Sequence, residues 1–108
     1  KQEDMRNVYL PGSDTYVFED EKTKSVQGFI SMVGNYLAAI FVIPEAQGTG
    51  IGKALIEYVK KIYPEITLRV YAKNEPSVAF YEKQGFRFVE KHVEEETGEQ
   101  ELVMKWNR

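Results

Sequence analysis

The chain has no cysteine among its 108 residues, which excludes disulfides, thiolate metal sites and a cysteine nucleophile. It has one histidine, His92, too few for a histidine-built zinc centre, and no metal is expected. No apolar stretch approaches the ~18 residues of a membrane helix. The longest, Leu37 to Ile43, is strand-sized, so no membrane partner is expected. An excess of positive charge is missing as well. The 14 Lys and Arg against 17 Asp and Glu leave a formal net charge of −3, and no nucleic-acid footprint follows. No repeat, linker, low-complexity tract or secretory leader stands out, and a cytoplasmic location is expected. What remains is 43% hydrophobic and 29% charged, the composition of an ordinary globular domain.

The patterning fits alternating strands and helices. Residues 2–10 read as the tail of a helix, and residues 11–14 as a Pro-Gly turn. Thr15 to Glu19 is rich in β-formers and reads as a strand. Residues 20–24 form a polar hairpin turn. Val26 to Val33 is the next strand, interrupted by Gly28. Tyr36 to Ile43 is a strand so apolar that both its faces are expected to be buried. Ile51, Ala54, Leu55, Tyr58, Val59 and Ile62 then recur at helical spacing, and Tyr63-Pro64 stops the helix. Ile66, Leu68, Val70 and Ala72 alternate as in a strand. A helix capped by Asn74 or Glu75 runs to Gly85. Two last strands, 86–93 and 102–106, flank Thr97-Gly98. The order is α-β-β-β-α-β-α-β-β, an α/β (α+β) mixed central sheet with flanking helices.

The most informative stretch joins the apolar strand to the first complete helix. Gly48, Gly50 and Gly52 lie between Ile43-Pro44 and the amphipathic run. Such a loop bares backbone N–H groups at a helix N-terminus, where the dipole favours anions, phosphate above all. Two familiar phosphate loops fail on residues. A P-loop places glycine where Gln47 stands, and a hydroxyl where Ala54 follows Lys53. The dinucleotide loop places its third glycine one residue beyond Gly52 and an acidic residue about 20 further on. Lys73 and Asn74 occupy that region here, with Glu75 only after them.

Gln47-Gly48-Thr49-Gly50-Ile51-Gly52 resembles the Q/R-x-x-G-x-G/A loop of the GNAT family of N-acetyltransferases. Downstream, Asn74-Glu75-Pro76-Ser77-Val78-Ala79-Phe80-Tyr81-Glu82-Lys83-Gln84-Gly85-Phe86 resembles that family's second signature, N-x-x-[AS]-x-x-[FL]-Y-x-x-x-G-F. Both stand in the family's order and at its separation, and the resemblance spans residues 14–106. It implies a single N-acetyltransferase domain over residues 1–108, with the acyl-CoA N-acyltransferase fold. The family's N-terminal strand and helices have no match here, and the chain is expected to be N-terminally truncated.

The resemblance also implies a chemistry. Acetyl-coenzyme A is the cosubstrate and a small-molecule or peptide amine the acceptor. The amine attacks the thioester directly within a ternary complex. Gln47, Gly48, Thr49, Gly50, Ile51, Gly52 and Lys53 are expected at the pyrophosphate. The backbone of Ile40, Phe41 and Val42 is expected along the pantetheine arm, and Asn74 and Ser77 near the pantetheine or phosphate. Tyr81 matches the tyrosine that protonates the leaving thiolate; read by spacing alone, it is a core aromatic beside Phe80. Relatives that acetylate protein N-termini often carry a glutamate where this chain has Arg69. The general base is therefore unassigned, with Glu19 and Tyr36 as alternatives. His92 and the glutamates around the last hairpin are read as surface. A coenzyme A-binding module of the same fold without turnover is the alternative function. Pairing of sheet edges into a homodimer stays open.

Overall fold

The computed structural model describes residues 5–108. The chain divides into two compact units, Lys1–Tyr63 and Pro64–Arg108.

In the first unit, strands β1 (Met5–Leu10), β2 (Ser13–Glu19), β3 (Val26–Val33) and β4 (Tyr36–Val42) follow one another. Each pairs antiparallel with the next. β1 corrects the helix expected over residues 2–10: residues 2–4 lie outside the described residues, and the rest is strand. The physical reason is the turn after it. Leu10 faces Ser13 across Pro11 and Gly12, and Gly12 takes φ +82°, as a Pro-Gly type II turn requires. A two-residue reversal folds Val8 and Tyr9, both β-formers, onto β2.

After β4 come a 3₁₀ turn (Pro44–Ala46) and helix α1 (Ile51–Ile62). α1 packs on β2, β3 and β4. It buries Ile51, Leu55, Ile56 and Val59, while Ile30 and Met32 of β3 and Leu37 of β4 are buried with it. Ile62, expected on the buried stripe, is exposed instead, and Ile56 takes its share of the core. Lys60 and Lys61 in the last turn suit the negative end of the helix dipole.

β4 departs from expectation too. Only Leu37 is fully buried; Ala38, Ala39 and Phe41 are exposed, Phe41 at 47%. Its apolar character does not reflect two covered faces. Phe41 instead meets Phe29 across the β3–β4 ladder, with ring centroids 6.0 Å apart.

The second unit holds β5 (Glu65–Tyr71), α2 (Glu75–Lys83), β6 (Arg87–Val93) and β7 (Gln100–Asn107). β7 pairs antiparallel with both β5 and β6. Ile66, Leu68 and Val70 of β5, Met104 of β7, Tyr81 of α2 and Phe86 make its core. β6 is exposed along nearly its whole length, and a bulge at Val89 interrupts its pairing.

Candidate functional site

The loop between β4 and α1 is held from both ends. Ile43 N–H donates to Gln27 O at 2.9 Å, continuing the β3–β4 pairing one residue past the strand. Ala46 N–H then closes on Ile43 O at 3.0 Å, and Gln47 N–H on Pro44 O at 3.3 Å. The Gln47 side-chain amide turns back to donate to Val42 O at 3.0 Å. The Thr49 hydroxyl donates to Ala46 O. Two reversals complete the path, at Gly48 (φ +81°) and Gly50 (φ +93°), where a side chain would be strained.

Gly50 is the N-cap of α1, and no side chain caps the helix. Ala54 N–H is the first to find a helix carbonyl, Gly50 O at 3.0 Å. The N–H groups of Ile51, Gly52 and Lys53 therefore have no intrahelical acceptor. No acidic side chain stands in that first turn. Residues 47–50 and Lys53 are exposed, Gly52 is half-buried and Ile51 is buried, so a helix dipole and one exposed ammonium stand at the end of the bend. The arrangement suits a phosphate or diphosphate.

Sequence reading placed Ile40, Phe41 and Val42 on the strand that feeds this loop, and β4 carries all three. It read Gly28 only as an interruption of its strand; that residue lies opposite Val42. The signal was available: a lone glycine inside a strand marks a bulge or a close backbone approach.

In the second unit Asn74 caps α2, its Oδ1 accepting from Ser77 N–H at 3.4 Å. Pro76 fits the first turn. The capping role of Asn74, read beside a ligand role in the sequence, is thus occupied. Tyr81 is buried on the same helix, its ring in edge contact with Phe80 at 5.4 Å and with Phe86 at 5.9 Å. Burial pushes the Tyr81 phenol above its ordinary value.

The two residues offered as bases differ in setting. Tyr36 is exposed at the start of β4. Glu19 accepts from Arg6 Nη2 at 2.6 Å and from its Nε at 3.2 Å. That guanidinium holds the Glu19 carboxyl below the usual range, the opposite of what a general base needs. His92 Nε2–H donates to Glu101 Oε1 at 2.9 Å across the β6–β7 hairpin. Arg69 is exposed on β5. Among the described residues, no three His, Cys, Asp or Glu side chains stand together as a metal site.

A strand, a glycine bend and an amphipathic helix form an α/β unit whose bend suits an anion. Its family is shown directly. The acetyltransferase (GNAT) domain family matches residues 11–88, and the chain belongs to that family. Peptidyl-lysine N-acetyltransferase YiaC of Escherichia coli (strain K12) is 41% identical over 103 residues, 94% of this chain and 69% of that protein. Peptidyl-lysine N-acetyltransferase YjaB of the same strain is 35% identical over 85 residues, 79% of this chain and 57% of that protein. The solution structure of apo-form YjaB from Escherichia coli matches with a TM-score of 0.77 at 28% identity, over 89% of this chain and 66% of that one. A Bacillus anthracis str. Ames protein in complex with acetyl coenzyme A matches with a TM-score of 0.80 at 22% identity, over 94% of this chain and 65% of that one. The latter bears on fold alone. The chain is thus a domain of the acetyltransferase (GNAT) family with the GNAT fold. No helix among the described residues is long and apolar enough to cross a membrane.

Proposed function

We propose that this chain transfers the acetyl group of acetyl-coenzyme A to the ε-amine of a peptidyl lysine, by direct attack in a ternary complex. The observation that carries the reading is the Gly50-capped bend, whose first-turn N–H groups lack helix acceptors and adjoin the exposed residues 47–50 and Lys53. The names of the YiaC and YjaB proteins support the lysine acceptor. Arg69, where N-terminal acetylating relatives often carry glutamate, weighs against an α-amine.

In this reading the N–H groups of residues 48–53 grip the diphosphate, and Lys53 adds charge from the exposed side of α1. The backbone of Ile40, Phe41 and Val42 pairs with the amide-bearing pantetheine arm as an added strand would. One of its N–H groups donates to the thioester oxygen as negative charge develops there. The neutral amine forms the new C–N bond, the C–S bond breaks, and the electron pair leaves on sulfur. The proton shed by the amine passes to water, since Glu19 is engaged by Arg6. Tyr81 gives a proton to the thiolate and regains one from solvent. The transfer from a phenol to a thiolate is uphill in bulk terms, with ordinary values of about 10 and about 8.5. Position and environment have to offset that gap.

The test mixes the chain with acetyl-coenzyme A and, separately, a lysine peptide blocked at its N-terminus, an unblocked peptide lacking lysine, and spermidine. Thiol release and acetylated product are followed. Release with the lysine peptide above the other two is expected. Binding of acetyl-coenzyme A without release on any amine would replace the enzyme by a silent binding module.

A further inference from the structure

Gly28 lies in the middle of a crowded crossing. It is buried on β3, opposite Val42 of β4 and Phe18 of β2. The β2–β3 register shifts beside it, between Phe18 and Glu19, so that Gln27 is the extra residue of a bulge. A bulge bends its strand and deepens the local twist. Here the bend drives the Gly28 Cα into the β4 backbone. A Cβ on Gly28 would stand 2.6 Å from Phe41 O, 3.3 Å from Val42 Cα and 3.4 Å from Ile51 Cγ2. The first distance is one that real Cβ atoms do not reach, and its partner is main chain, which cannot swing aside.

The three groups that crowd Gly28 belong to the two halves of the cosubstrate site. Phe41 and Val42 are the strand stretch assigned to the pantetheine arm. Ile51 is the first residue of α1, and its N–H belongs to the diphosphate bend. The same crossing carries the Gln27 O to Ile43 N–H bond and the Gln47 amide bond to Val42 O. Gly28 is therefore the point where the direction of β4 and the start of α1 are fixed against each other. It is not strained, having an ordinary φ; what it supplies is the absence of a side chain.

We propose that Gly28 is a positioning residue for acetyl-coenzyme A: its bare Cα sets the angle between the arm-guiding strand and the diphosphate bend. The inference rests on the site reading above. A Cβ forces β3 and β4 apart, or tips Ile51 and the first turn of α1 away. Either movement leaves each half of the site intact while spoiling their relation. A ligand that spans both halves then loses affinity; one that uses only the bend does not.

The experiment compares acetyl-coenzyme A, which spans both, with ADP, which offers the diphosphate alone. Binding of each is measured by calorimetry to the full chain, the Gly28→Ala variant and Met32→Ala. The last is a core change in the same strand, outside the site. Misplacement on the ångström scale costs up to about 100-fold in a positioned complex. Gly28→Ala is therefore expected to weaken acetyl-coenzyme A by about tenfold or more and ADP by less than about twofold. It should raise KM for the cosubstrate more than it lowers kcat. Met32→Ala is expected to lower Tm while leaving the ratio of the two affinities unchanged. Should Gly28→Ala not fold, Ile51→Leu withdraws the branched methyl from the same crossing while keeping its N–H, and the same split in affinities is expected. Equal losses for the two ligands, or no loss beside a lowered Tm, would overturn the proposal. A wild-type chain that binds neither ligand would instead remove the site reading on which it rests.

Discussion

Tyr81 combines two roles that often compete in one side chain. Its ring is part of the core of its unit, between Phe80 and Phe86, while the proposed chemistry uses its hydroxyl. Burial disfavours the phenolate and raises the group above its ordinary value. The sign matters for activity. A raised phenol stays protonated across the working range, so the acid is always loaded, though each transfer to sulfur is less favourable. The kcat profile is therefore expected to show no loss from Tyr81 ionisation until pH is above about 10. Tyr81→Phe keeps the ring and removes the proton. It is expected to lower kcat by about 100-fold or more with little change in acetyl-coenzyme A affinity, as removal of a general acid does. Single-turnover thiol release measures this, and an unchanged chemical step would strip Tyr81 of the role. The sequence showed the tyrosine through its surrounding signature. It could not show that Glu19 is tied to Arg6, because that pair joins two strands, one of which reads as helix.

The elements differ in how openly the sequence declares them. α1 is legible in its bounds, since its apolar positions repeat at helical spacing and Gly50 and Pro64 bracket it, though Ile56 rather than Ile62 is buried. β1 is not, because Arg6, Asn7, Val8 and Tyr9 follow neither period and only the Pro11-Gly12 reversal reveals the partner strand. The β4–α1 bend was legible as a loop of glycines. Gly28 was legible only as a break in a strand; that it meets Val42 comes from the pairing register, which is not written in a single strand. The bend itself makes an element-scale prediction. Gly50 holds φ +93° with nothing within 4 Å of a Cβ there, so space is not at issue and conformation alone is tested. Gly50→Ala is expected to cost about 1 kcal/mol in stability, the left-handed penalty for a residue with Cβ. It is also expected to weaken acetyl-coenzyme A more than the equivalent change at Gly12, which holds φ +82° in the β1–β2 turn. Denaturant titration and calorimetry on the two variants separate the shared strain from the loss peculiar to the bend.

At the scale of the whole molecule, the chain spans 69% of the length of YiaC and 57% of that of YjaB, so cosubstrate binding and turnover are separable questions. Apart from Asn74 and Ser77, the groups assigned to the diphosphate and the arm lie between Ile40 and Lys53, inside the first compact unit. Binding by this chain is therefore expected whether or not an acceptor is accommodated. A ligand that binds only the folded chain stabilises it by about 2.7 kcal/mol at 100 times its Kd. For a domain of this size each kcal/mol moves Tm by about 4–8 °C. Acetyl-coenzyme A at that excess should raise Tm by about 10–20 °C. The shift should fall with added salt, because part of the attraction is between a polyanion and the exposed Lys53. It should be indifferent to chelators, since the bend offers backbone donors rather than a hydroxyl for magnesium at Ala54. A thermal scan against ligand concentration, with and without chelator, reads all three. A shift of that size that vanishes on chelation would transfer the grip from the main chain to a metal and reopen the assignment of the bend.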